Sequence, residues 1–264
     1  MNRSFFIMSS KSVTIATLNT WKGEGAYTHR VQLIKEQARE IQPDIFFLQE
    51  TLKTNTLGLD TSEFLANRLN LSTASQPARQ KKRMVENAFV DSTSGLSVLT
   101  RGQILSNKRF ELESDQADGE RISQFVEIKL EGLLLLAINT HLTFLKNSDG
   151  IRLRELKQTL EAIENSQKYD LVILGGDFNC TPDSKPIAWL QTSAPIVFEE
   201  ACRSMGARIH TVERKNRLDQ IDYIFQLKGK KFRFESVRRV FDIWCPNRKT
   251  FPSDHFGVCT KLSM

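Results

Sequence analysis

Several stretches of this chain are extended and apolar on both faces, and no other feature of the sequence restricts its fold as much. Ser12 to Asn19 carries Val13 and Ile15 on one side, Ala16 and Leu18 on the other. Asp44 to Gln49, Leu133 to Asn139 and Leu171 to Leu174 are similarly apolar. A strand that is apolar on both faces lies between two covering layers. Short strands follow one another at 95–100, 103–112, 121–130 and 133–139 with no room for a helix between them, which argues against a regular doubly wound sheet. The expectation is two mainly antiparallel or mixed sheets packed face to face, with helices outside, in one domain over residues 1–264. Residues 1–11 are expected to be a flexible N-terminal extension.

The remaining elements follow from period and caps. Arg30 to Ile41 has Val31, Ile34, Ala38 and Ile41 at helical spacing, and Pro43 stops it. Thr61 to Leu71 reads as a short helix with Thr61 as its cap. Asp149 to Asn165 is the clearest helix, striped by Leu153, Leu156, Leu160 and Ile163. Gln76 to Arg83 reads as a basic, proline-containing loop, and strands are expected near 219–226, 231–240 and 257–262.

Composition narrows the class. With 40% hydrophobic and 26% charged residues in 264, the chain is globular rather than disordered. The four cysteines show neither zinc-like spacing nor a disulfide framework, so a reduced, cytoplasmic setting is expected. No apolar run reaches the roughly 20 residues of a membrane span. Lysine and arginine number 37 against 31 acids, and the resulting +6 suits a polyanionic partner.

Polar residues collect where the apolar strands end. Leu171 to Leu174 runs into Gly175, Gly176, Asp177, Phe178 and Asn179, and in extended geometry Asp177 and Asn179 point to one side. The other reading is a turn, in which Gly, Asp and Asn are the usual residues. His141 follows Asn139 and Thr140 at another strand end, as a phosphate donor or as a structural histidine. Asp222 interrupts the apolar Ile221-Asp222-Tyr223-Ile224-Phe225; buried, it needs a partner, and a histidine would serve. Asp219 is the rival for that place. Asp254 and His255 open the last strand, Asn19 ends the first, and Glu50 ends the second, where a glutamate is either exposed or a ligand for a hard metal.

In order and context these pieces resemble the endonuclease/exonuclease/phosphatase superfamily of metal-dependent phosphoesterases. The matching motifs are TLNTW (17–21), Gln49-Glu50, the strand at 95–99, NTHL (139–142), GGDFN (175–179), IDYIF (221–225) and SDH (253–255). The resemblance implies a four-layer α/β sandwich of two packed mixed sheets flanked by helices. It also implies a metal site at Glu50, Asn19 and Asp254 that takes Mg²⁺, with Mn²⁺ able to substitute. By the same resemblance, Asp177 orients or deprotonates the attacking water. His141 and Asn179 hold phosphate oxygens, and Asp222 orients His255. Arg121, in Gly119-Glu120-Arg121, resembles an arginine that reaches the phosphate in deoxyribonuclease-like members.

The expected activity is a nuclease acting on DNA or RNA. A sphingomyelinase-like lipid phosphodiesterase or a small phosphate-ester phosphatase is the alternative. Two basic runs, 78–83 and 228–233, are candidates for following a phosphate backbone, and Trp21 and Tyr27 for stacking on a base. No stable protein partner is implied, and the chain is expected to act as a monomer.

Overall fold

The computed structural model describes residues 11–115, 117–214 and 217–264. The expected flexible extension, apart from Lys11, lies outside them. The strands are β1 (Ser12–Asn19), β2 (Ile45–Thr54), β3 (Leu59–Asp60), β4 (Ser72–Val85), β5 (Ala88–Thr100), β6 (Gln103–Glu111), β7 (Ile122–Leu130), β8 (Leu133–His141), β9 (Leu171–Asp177), β10 (Phe198–Glu200), β11 (Val212–Arg214), β12 (Arg217–Asp219), β13 (Asp222–Leu227), β14 (Arg233–Val240) and β15 (Gly257–Ser263). The helices are α1 (Tyr27–Ile41), α2 (Thr61–Leu69), α3 (Asp149–Glu161), α4 (Lys185–Thr192) and α5 (Ala201–Ser204).

Two mixed sheets form. One runs β14-β15-β1-β2-β5-β4, with β3 paired to β2; the other runs β10-β13-β9-β8-β7-β6. The doubly apolar strands take the central places, β1 and β2 in one sheet and β8 and β9 in the other, as two-sided burial requires. Their alternation separates three apolar layers. Val13, Ile15, Ile45 and Phe47 meet Val126, Leu135, Ala137 and Ile173 between the sheets. Ala16, Leu18, Phe46 and Leu48 turn outward onto Val31 and Ile34 of α1 and Leu65 of α2. On the far face, Ile138, Val172 and Leu174 pack with Leu156 and Leu160 of α3 and Ile187 and Leu190 of α4. The result is the expected four-layer sandwich. Among the described residues, no helix is long and apolar enough to cross a membrane.

Several local expectations are corrected. Residues 76–83 are not a loop but part of β4, a long edge strand paired with β5 as far as Val85 and Ala88. Proline is tolerated there because the strand lies at a sheet edge and bulges between Pro77 and Arg79. The cap of α2 is Asp60, whose carboxylate accepts from the backbone of Ser62 and Glu63, one residue earlier than expected. Helix α3 ends at Glu161 rather than 165, and its buried face mixes Leu156 and Leu160 with Arg152, Glu155 and Thr159. Those polar groups are buried because they hold the loop after β8: Glu155 accepts from the Thr143 N–H, and Arg152 donates to the carbonyls of Thr143 and Leu145.

Candidate active site

Strand register places the chemistry. In the second sheet, Asp177 at the end of β9 lies directly opposite His141 of β8 and Asp222 of β13. Residues paired across strands share a face, so three motifs far apart in sequence become neighbours at one edge. Gly176 makes the spacing possible: its φ is +138°, and a Cβ there would lie 2.0 Å from the Thr140 carbonyl oxygen.

The first sheet brings its residues to the same end. β2 bulges between Leu48 and Thr51, and Glu50, at φ +57°, occupies that break. A bulge redirects a side chain, here from the sheet to the cleft. Gln49 stays fully buried and donates 2.8 Å to Asn139 Oδ1, while Asn139 donates to the carbonyls of Leu48 and Ser97. These bonds lock the two sheets together beneath the site. Ser253 donates to the Asn19 carbonyl and so ties the SDH loop to the end of β1.

Asp177 Oδ2 is the point of convergence. Asn19 Nδ2 donates to it at 3.1 Å, His141 Nε2 lies 3.5 Å away and His255 Nε2 3.9 Å away. His255 Nδ1 pairs with Asp222 Oδ2 at 2.9 Å, so the buried carboxylate has the histidine partner its burial called for. Asp219 is set apart in the β11–β12 hairpin, paired with Arg217. Asn179 is corrected in part. At φ +51° it leaves the extended conformation, its N–H closes a turn on Asp177 Oδ1, and its amide donates to the Leu142 carbonyl. The turn reading holds locally, and the side chain still lines the cleft.

Burial and charge set the proton states. Burial, with the Asp222 charge adding, raises the Asp177 pKa to about 6, against opposing His255 and Asn19. Burial alone would lower that of His255, but Asp222, Asp177 and Asp254 outweigh it and raise it to about 10. Burial, then the charges of Arg121, Lys22 and His255, holds His141 well below the usual histidine range. One histidine is therefore cationic and the other neutral at pH 7.

The cleft encloses about 310 Å³, and Glu50, Asp177, Asp254 and both histidines line it. Asp254 opens to solvent. Crowding by protein atoms raises its pKa, with His255 opposing and Glu50 reinforcing the shift. Glu50 and Asp254 are thus hard-oxygen donors that repel each other, and Lys22 sets an ammonium 2.7 Å from Glu50 Oε1. This donor set fits a small divalent cation. Asp177, Asp222 and His255 also place ligand atoms within 4.8 Å of one another, but the Asp222–His255 hydrogen bond already uses one atom of each.

Arg121 departs from expectation. It lines the cleft, but its guanidinium grips both oxygens of the buried Asp118, and a third bond reaches the His141 carbonyl at 3.4 Å. Its charge is largely spent inside the protein. Trp21 lines the cleft, whereas Tyr27 is buried and hydrogen-bonded to Thr61. The basic run 228–233 sits at the far end of β13, where Lys230 caps the Ser166 and Tyr169 carbonyls. Sequence reasoning missed Arg30, which is fully buried and donates to the carbonyls of Thr20, Trp21, Lys22, Glu24 and Pro252. A charged residue at a core-facing helical position was the available sign.

A double sheet with an acid–histidine pair and two further carboxylates at one end is an arrangement that can hold and attack a phosphoric ester. The sequence model described as "Endonuclease/Exonuclease/phosphatase family" matches residues 16–255, and the chain belongs to that family. Comparison with curated proteins returned no match. Solved structures with the same fold include an endonuclease/exonuclease/phosphatase from Beutenbergia cavernae DSM 12333. It is 18% identical with TM-score 0.75, covering 96% of this chain and 72% of that one. A humanized D. rerio TDP2 is 15% identical with TM-score 0.73, covering 96% and 99%. The human Nocturnin catalytic domain, solved with bound sulfate, is 22% identical with TM-score 0.72, covering 96% and 94%.

Proposed function

We propose that the chain is a Mg²⁺-dependent phosphodiesterase acting on a polynucleotide. The observation that carries this reading is the convergence of Asn19, His141 and His255 on one oxygen of Asp177, in a cleft that Glu50 and Asp254 also line. A tetrahedral anion suits such a site, and Nocturnin of the same fold is solved with sulfate.

Glu50, Asp254 and Asn19 would hold a divalent cation, which would supply positive charge against the repulsion between a hydroxide and a phosphodiester anion. The protein's own groups do the rest. Asp177, ionised above about pH 6, orients the attacking water and takes its proton as oxygen bonds to phosphorus and the ester oxygen departs. His255 keeps its proton and is aimed by Asp222, so a fixed cation faces the charge growing on the phosphoryl oxygens. Neutral His141 and the Asn179 amide hold the remaining oxygens. The +6 charge favours a polyanion over a neutral lipid surface.

Hydrolysis of an activated phosphodiester should stop in chelator and return with Mg²⁺ or Mn²⁺. Among single-stranded DNA, abasic duplex, poly(A), sphingomyelin and inositol phosphates, a nucleic acid should be the substrate. Full activity in chelator overturns the metal, and cleavage of sphingomyelin with no polynucleotide cut overturns the substrate class.

A further inference from the structure

We propose that one edge of β4 is a track for the phosphate flanking the scissile one, built by Arg79 and Lys81 and excluding Lys82. The inference rests on the reading of the site as a polynucleotide phosphodiesterase and names a second contact for that substrate. Residues 78–83 form a strand, so alternate side chains leave opposite faces. Beyond the bulge at Pro77–Arg79, the residues Arg79, Lys81, Arg83 and Val85 share one face; Gln80, Lys82 and Met84 take the other. Val85 identifies the first face, because it packs on Gly23 in the loop that carries Lys22. That face borders the cleft. Lys82 points away, in register with Asp91.

The arginine is built in. Arg79 lines the cleft, donates 2.6 Å to the Asp118 carbonyl, and lies against Gly119, where a Cβ would stand 2.7 Å from its Cζ. One bond fixes the guanidinium and leaves other N–H donors toward the cleft, a geometry suited to phosphate. Lys81 follows two residues on, about 6.8 Å along the strand. Arg83, buried and spent on Ser92 and Ser94, adds charge from behind. Burial first, and then Arg83, Arg79 and Lys22, push the Lys81 ammonium pKa down, with Glu24 opposing. These cations therefore share one field. Exposed Glu120 is the acid on the adjoining rim. Arg121 is neutralised by Asp118, whereas Arg79 has no carboxylate ion pair among the described residues.

A single-stranded oligodeoxynucleotide carrying one neutral methylphosphonate, moved position by position about the cut, tests the track. Arg79→Ala and Lys81→Ala should each raise KM for the all-phosphate strand about tenfold more than for bis(p-nitrophenyl) phosphate. Each should also reduce the slope of log KM against log salt by about 0.7. At one flanking position the methylphosphonate should cost the wild type a similar factor and the variants little more. Lys82→Ala should match wild type throughout. Lys81 is exposed, so its variant is readable even if Arg79→Ala folds poorly. An oligonucleotide KM and salt slope for Lys81→Ala equal to those of Lys82→Ala overturn the track alone. Hydrolysis of the small ester with no polynucleotide cut overturns the track and the reading beneath it.

Discussion

Asp177 shows how little a residue's type says before its neighbours are known. It follows two glycines and precedes an asparagine, and the sequence permits a plain turn. In the structure the turn forms on Oδ1, while Oδ2 gathers Asn19 and two histidines. Asp177→Asn and His255→Ala should each lower turnover by about 10² or more; Asp177→Asn should melt close to wild type, whereas His255→Ala leaves Asp222 buried without its partner and should melt lower. The double variant should lose much less than the product of the two factors, because groups acting as a unit are not additive. Wild-type turnover in either single variant, measured on a chromogenic phosphodiester, would show that the chemistry lies elsewhere. Asp222 was legible as a buried acid in need of a partner, since nothing else in IDYIF is charged. The residues alone left Asp219 as a rival for the histidine; the family resemblance pointed to Asp222, and strand register puts it there.

At the scale of elements, contacts between strands and helices set tolerances that no single element predicts. β8 and β9 pair in parallel beneath the site, and Gly176 leaves no room for a Cβ against the Thr140 carbonyl. Gly176→Ala combines a positive φ with a clash against backbone, so it should cost roughly 3 kcal/mol, the upper end for overpacking. A denaturant midpoint unchanged from wild type would refute that. Helix α3 carries a second test. Burial raises the Glu155 pKa to about 7, although the Thr143 N–H and nearby arginines oppose the shift. A raised carboxyl pKa favours the folded state when the group is protonated. The contribution is complete below about pH 4.5, the usual glutamate value, and is lost as pH rises through 7. Denaturant midpoints of wild type should therefore fall between pH 4.5 and 8 by more than those of Glu155→Gln. Parallel profiles for the two proteins would dismiss Glu155 as the source. Helix α3 was expected from its leucine stripe, but its polar buried residues answer to a loop beyond the helix, and periodicity is silent on that.

Among the described residues, the two large sheets meet at one end, and the site lies where they meet. Glu50 comes from the first sheet and Asp254 from the loop that leads into its strand β15, and Asp177, Asp222 and His141 come from the second. A divalent cation that binds only this assembled state stabilises it by mass action, by about 2.7 kcal/mol at a hundredfold excess over Kd. In a chain of this size, that should raise the melting temperature by several degrees. Mg²⁺ should produce that rise in wild type and far less in Glu50→Gln; an equal rise in both would remove Glu50 from the metal site. The sequence by itself determined the layers, because a strand apolar on both faces must be covered twice. It also determined which strands end in chemistry, since those ends are where apolar runs break into carboxylates, amides and histidines. Tertiary structure alone decided which ends meet. It turned a basic loop into an edge strand with two unlike faces and spent the charge of Arg121 on Asp118. It also hid Arg30 beneath the site as a brace for the loops at Thr20–Glu24 and Pro252. The physical reason is range: composition and period act over a few residues, whereas register, bulges and buried charge pairs are settled between segments up to hundreds of residues apart.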